Sequence, residues 1–338
     1  MTTYQHFEQA YVSELAATLR DYEYRNAPRG NWSSERIGVS FQLAQPVQRH
    51  ISLTVRKSNI IFNFAEALWY LAGTADLAQI KYYAPSIAAY SSDGVSLRGT
   101  AYGPRIFDYP SAGLDQWDVI RRTLAEDRDS KRAVIQIFDP RELTVLNNID
   151  IACTLALQFV IRDDRLCGVT YMRANDAFRG IVSDVFSFTI ILELLARELG
   201  VPVGSYHHMV GSLHVYDSDT DWAERVLGES VTVRNLASRD FPEMPAGDNW
   251  PHVKQVLGWE KRLRLNEMRL CAEDVKQLEL PDYWQHVVGL FEIQRELRHE
   301  SSVAPDSVAV LPALYQGMVA ARWPGRVKLD AGVDTVHS

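Results

Sequence analysis

Apolar residues recur along this chain with two spacings, and the switches between them lay out its elements. From Phe7 to Tyr22 they fall every three or four positions, the period of a helix with one buried face, and a polar turn with Pro28, Arg29 and Gly30 follows. RIGVSFQL (36–43) and HISLTV (50–55) alternate apolar with polar or small residues, so both are expected to be strands. Asn63 to Leu77 returns to helical spacing through Phe64, Leu68 and Leu71, with Gly73 as its stop signal and Glu66 as the odd residue within it. Residues 80–110, rich in Tyr, Gly, Pro and Ser, are expected to form a long functional loop. A helix over 114–127, a strand over 133–138 and a hairpin of CTLALQFVI (153–161) and LCGVTYM (166–172) around RDDR come next. The strongest helical pattern is DVFSFTIILELLAREL (184–199), capped by Gly200 with Pro202 just beyond. SYHHMVGSLHVY (205–216) then predicts a strand leading into an exposed helix. The run from Arg173 to Tyr216 therefore joins a strand end, a polar loop, an apolar helix and another strand, with its polar residues at the joints, where sites are usually built.

Composition narrows the class of partner. The chain has 338 residues, enough for an ample core, and its 46% hydrophobic and 23% charged residues suit an ordinary globular protein. A formal net charge of -8 argues against a general nucleic-acid or anionic-membrane surface, so any phosphate partner is expected to be small. Cys153, Cys167 and Cys271 are odd in number and far apart, which suggests neither a disulfide framework nor a CxxC metal site and fits a reducing cytoplasm. Early Glu residues make the N-terminus an amphipathic helix rather than a signal peptide, and no run is long enough to cross a bilayer.

Certain side chains stand out against this background. Cys153 lies among apolar neighbours, as a small buried strand residue would; Arg173 across the hairpin gives it a second reading, because a nearby guanidinium favours the thiolate nucleophile. Arg29, the Lys131-Arg132 pair and Arg173 are each ordinary surface charges taken singly, and brought together they could grip a phosphomonoester through bidentate hydrogen bonds. Glu66 is either a solvated helix residue or a partly buried proton carrier. His214 and Tyr216 share one strand face and could bind a hydroxyl-bearing ligand, whereas the adjacent His207 and His208 point opposite ways and carry no assigned role.

The order of these residues resembles the thymidylate synthase family over about Arg29 to Tyr216. EALWYLAGT resembles the helix with the catalytic Glu, here Glu66; AYGPR resembles the motif whose Tyr supports catalysis, here Tyr102. DSKR resembles the basic motif that reaches the neighbouring subunit's phosphate, here Lys131 and Arg132, and ACT with LQF behind it resembles the nucleophile's strand, here Cys153. RANDAFRGIVSD and GSLHVY resemble the loop and the sugar-binding motif that follow. The resemblance implies one thymidylate synthase-like domain over 1–338, of α/β (α+β) class, with a divergent part from about 217. It implies a mixed β-sheet flanked by helices, one sheet face forming the interface of a homodimer with shared active sites. It further implies a pyrimidine nucleoside monophosphate as substrate, 5,10-methylenetetrahydrofolate as co-substrate, and no metal. Cys153 would add to C6 of the ring, and Asp176 and Glu66 would assist folate binding and proton movement.

Departures from the family pattern sharpen the substrate. Where thymidylate synthases place an Asn that reads uracil, this chain has Asp184. A carboxylate accepts from the N4 amino group and protonated N3 of cytosine, and a protonated Asp could instead donate to a neutral N3, so Asp184 implies a cytosine base, as in the cytidylate hydroxymethylases; a helix N-cap is the plainer role for the same residue. Thr154 replaces a His beside the nucleophile, while Lys131 and Ala174 replace an Arg and a Ser at the sugar-phosphate end, which fits CMP as readily as dCMP. Arg179 and Ser183 replace apolar residues that usually touch the folate, and no familiar closing segment is recognisable in RVKLDAGVDTVHS (326–338). The expected activity is CMP or dCMP 5-hydroxymethylation. The alternatives are thymidylate synthesis from dUMP and non-catalytic nucleotide binding.

Overall fold

A computed structural model describes residues 1–109, 113–232 and 240–328. Its centre is a mixed sheet of seven strands: β1 (Thr2–Tyr4), β2 (Tyr24–Asn26), β3 (Ser33–Leu43), β4 (Val134–Gln136), β5 (Thr154–Arg162), β6 (Arg165–Asp176) and β7 (Val203–Tyr216), in the order β1-β3-β7-β6-β5-β4 with β2 also on β3. β6 and β7 run parallel, whereas β3 lies antiparallel to β7 and β5 antiparallel to β6. The β5–β6 hairpin turns on Asp163 and Asp164, both at positive φ, the geometry whose twist matches its flanking strands.

One face of the sheet is buried. Leu157, Phe159, Leu166, Met172, Tyr206 and Val210 point inward at alternate positions beneath α1 (Phe7–Arg20) and α6 (Gly180–Glu198). The opposite face leaves Val160, Val169, Tyr171 and Met209 only half covered. α2 (Ile60–Leu71) packs on α6, and on the far side of α2 lie α8 (Trp250–Arg264), α10 (Asp282–His299) and α12 (Ala313–Arg322). Buried apolar residues from Phe7 to Val327 form one cluster.

The strands expected at 36–43, 153–161 and 166–172 and the helix expected at 184–199 are present, Gly200 following α6 at φ 67°. Three expectations are corrected. Residues 50–53 form no strand, because the backbone N–H groups of Ser52 and Leu53 donate to the buried Glu8 carboxylate and those of Thr54 and Val55 to Glu229; a turn over Thr54–Arg56 results. The helix expected over Asn63 to Leu77 starts earlier, capped by the Asn59 side chain on Phe62 N–H at 3.1 Å, and ends at Leu71 before Gly73 at φ 66°. Within the stretch expected as one loop, α3 (Leu77–Tyr83) and α4 (Gly103–Phe107) form, and Tyr102 sits at the head of α4. Residues 329–338 of the segment searched for a closing motif lie outside the described residues.

Candidate active site

The open end of the β5–β6 hairpin, away from its turn, brings the expected residues together. Cys153 immediately precedes β5; its carbonyl accepts the Arg173 N–H at 2.8 Å, and Arg173 Nη2 lies 3.6 Å from its Sγ. The guanidinium is held in place by the carbonyls of Ile151 and Ala152, both at 2.9 Å. Burial pushes the Cys153 thiol up, and the charges of Arg173 and Arg29 pull against it without prevailing. The lowering influence expected of Arg173 on the thiol is thus outweighed by burial.

Two carboxyl groups face this thiol's neighbourhood. Glu66 on α2 is 6% exposed, so the solvated-helix reading is excluded; burial first, and the nearby Asp184 second, raise it to about 8. Ser187 Oγ donates to its Oε2 at 3.4 Å. Asp184 is raised to about 7, again mainly by burial. It is not the N-cap of its helix, because α6 begins at Gly180 with Arg179 as cap. Its Oδ2 instead accepts from Asn175 Nδ2 at 2.6 Å. Tyr102 accepts the Thr154 N–H at 3.4 Å, and its ring stacks on Tyr70 at 4.9 Å.

Around this centre the remaining residues take distinct places. Asp176, at the end of β6, accepts from the N–H groups of Phe178 at 2.8 Å and Arg179 at 3.0 Å and pairs in register with His214. His214 and Tyr216 stand edge to face with ring centroids 4.9 Å apart. The charge of Arg29, on the turn Pro28–Gly30, acts on both Tyr216 and Cys153. Ala174 lies opposite Ser212 on β7. Arg179 is engaged with Asp219, its Nε at 2.8 Å from Oδ2, and Ser183 Oγ donates to the Gly180 carbonyl at 3.3 Å. Lys131 and Arg132 are not gathered here. They are exposed before β4, where Gln158 Nε2 donates to the Lys131 carbonyl at 3.0 Å. Five residues of strand separate Gln158 from Cys153, about 16 Å at ~3.3 Å per residue.

The tight approach of two loops fixes Tyr102. Asp150, three residues before Cys153, accepts from the backbone N–H groups of Arg98, Gly99 and Thr100 at 2.7, 2.9 and 2.7 Å. A Cβ on Gly99 would lie 2.1 Å from the Asp150 carbonyl oxygen, so this close crossing requires glycine.

Reading the sequence missed Asn175 and Tyr70 and assigned His208 no role. His208 sits at inward parity on β7, where a polar residue among core positions is the signal that could have found it; Asn175 is buried because the alternation of β6, inward at Leu166, Thr170 and Met172, shifts by one near its end, which no local period marks. Among the described residues no group of three or more His, Cys, Asp or Glu could hold a metal ion, and no helix is long and apolar enough to cross a membrane.

At the strand ends of this mixed sheet the Cys153 thiol sits beside Arg173, with the carboxyl groups of Glu66 on α2 and Asp184 on α6 close by. The chain belongs to the thymidylate synthase family, whose profile matches residues 14–245. It is 32% identical over 252 residues to a deoxyuridylate hydroxymethyltransferase of Bacillus phage SP01, covering 70% of this chain and 65% of that protein, just under two thirds of its length. A deoxyuridylate hydroxymethyltransferase of Delftia phage PhiW-14 is 28% identical over 256 residues, 69% of this chain and 70% of that protein. A putative thymidylate synthase of Methanocaldococcus jannaschii is 31% identical over 136 residues, 38% of this chain and 61% of that protein.

Proposed function

We propose that the chain is a one-carbon transferase that hydroxymethylates C5 of a cytosine nucleotide, CMP or dCMP. The observation that carries this reading is Asp184, an acceptor carboxyl beside the nucleophile where the family pattern has an amide. An ionised Asp184 accepts from the N4 amino group and repels the O4 of uracil.

Cys153 Sγ adds to C6, and the ring electrons released make C5 a nucleophile toward the one-carbon unit of methylenetetrahydrofolate. That co-substrate supplies a CH2 group at the formaldehyde level. Asp176, Arg179 and Ser183 would line its side of the site: Asp176 offers a carboxyl acceptor at the strand end, with Arg179 beside it. C5 then loses its proton as tetrahydrofolate departs, leaving a methylene on C5. The oxygen of a water molecule bonds to that methylene, its proton passes to the carboxyl relay of Glu66, and the ring electrons return to form C5=C6 and expel the Cys153 thiolate. The net consumption is one water and one CH2 group, with no hydride transferred. Arg29 and Arg173 would hold the phosphate, and His214 and Tyr216 the sugar; Lys131 and Arg132 would reach the phosphate of a partner across the half-covered sheet face, in a homodimer of single-domain, cytoplasmic chains. Ala174 in place of Ser leaves the sugar end open to a ribose.

The names of the phage relatives favour a second reading, deoxyuridylate as substrate. Mass spectrometry of products from CMP, dCMP and dUMP, each incubated with methylenetetrahydrofolate, separates the two. A hydroxymethylated cytosine product is expected, and product from dUMP alone would overturn the cytosine reading. Formation of dihydrofolate would mark methylation instead.

A further inference from the structure

Asp184 does not stand alone. Behind it Asn175 Oδ1 lies 3.1 Å from His208 Nε2, and His208 Nδ1 lies 2.9 Å from the Tyr206 hydroxyl. All three side chains are buried, at 4%, 0% and 1% exposure. Burial lowers His208 to about 3, so its ring is neutral and carries a single N–H.

A neutral ring makes the chain directional. If Tyr206 donates to Nδ1, the imidazole proton is on Nε2 and donates to Asn175 Oδ1, which turns the amide N–H toward Asp184 Oδ2, the contact seen at 2.6 Å. In the reverse direction the amide oxygen would face the carboxyl, which requires a protonated Asp184. We propose that Tyr206, His208 and Asn175 are positioning residues for base selection: they hold Asp184 as an ionised acceptor with Oδ1 free for the base, and so enforce cytosine over uracil. This rests on the reading of Asp184 given above.

The opposing influences on Asp184 come from every side. α2 brings Glu66 and Tyr70 near it, β6 contributes Asp176, and Cys153, Tyr102 and Tyr206 are further titratable neighbours among the described residues. Asp176 and burial favour the protonated acid; the Asn175 hydrogen bond opposes them. Without the relay, a neutral Asp184 could donate to uracil O4.

The test is titration of the full chain with CMP, dCMP, UMP and dUMP across pH, which needs no folate. Wild type is expected to prefer cytosine. His208→Leu should cut the cytosine-to-uracil affinity ratio about tenfold and move the acid limb of cytosine binding upward by about one pH unit. His208→Gln, whose amide can still donate to Asn175, should restore both. Tyr206→Phe keeps the packing and should move the ratio the same way, which guards against a His208→Leu chain that fails to fold. An unchanged ratio in folded Tyr206→Phe, or equal loss in His208→Gln and His208→Leu, overturns the relay. A wild-type preference for uracil overturns the cytosine reading itself, and the relay's purpose with it.

Discussion

Arg173 holds Cys153 at two levels: its backbone N–H donates to the Cys153 carbonyl at 2.8 Å while its guanidinium approaches the thiol at 3.6 Å. One residue thus sets both the position and the charge environment of the nucleophile. Burial still outweighs the guanidinium and favours the thiol over the thiolate. Cys153→Ala is expected to lower turnover by about a thousandfold or more while nucleotide still binds, checked by product formation and by calorimetry. Retained turnover would rule out covalent addition.

Glu66→Gln removes the buried carboxyl proposed to carry the proton. A loss of about 10²–10⁴ in kcat is expected, with the limb of the wild-type pH profile near pH 8 disappearing. The same carboxyl affects stability with a definite sign. Its pKa rises from 4.5 to about 8 on folding, so the folded chain keeps a proton that the unfolded chain releases between those values. Stability therefore falls as pH rises through that window. Thermal melts at pH 5 and pH 8 should show a smaller difference for Glu66→Gln than for wild type.

Asp184→Asn exchanges a pure acceptor for an amide that both donates and accepts. The ratio of cytosine to uracil nucleotide turnover should fall by about tenfold or more. Competition of CMP against dUMP in one reaction, read by mass spectrometry, measures it directly, and an unaltered ratio would remove Asp184 from base selection.

Lys131 and Arg132 stand about five strand residues from their own Cys153, so their service to a partner can be tested by mixing. Subunits carrying Cys153→Ala and subunits carrying Arg132→Ala should each be impaired alone and regain activity when refolded together, because each mixed dimer then holds one intact site. No regain would mean that the pair acts within its own chain or not at all.

Gly99→Ala places a methyl group where the Asp150 carbonyl stands 2.1 Å away. The crossing must open, at a cost of about 1–3 kcal/mol, and Tyr102 is carried away from Thr154. A lower melting temperature together with a lower kcat is the expected pair of outcomes.

Much of this arrangement was legible in local pattern. Alternation located β3, β5, β6 and β7, and the arginine across a two-residue turn correctly implied that Cys153 and Arg173 meet. The strand expected at 50–55 failed because its donors are taken by Glu8 and Glu229, which are 44 and more residues distant in sequence and invisible to a local period. Glu66 could be judged buried only once α6 and the C-terminal helices were seen to enclose α2. Asn175 escaped notice and His208 was given no role because each, alone, is an ordinary polar residue. Their meaning lies in a parallel strand register that no short motif encodes.

The helices stacked on the far side of α2 give that enclosure a dynamic meaning. α8, α10 and α12 lie beyond the segment matched by the family profile, yet they cover the helix that carries Glu66. Amide hydrogen exchange should find α2 and α10 opening as one cooperative unit, slow together and fast together. The enclosure that keeps Glu66 protonated is then only as persistent as the folding of the C-terminal helices.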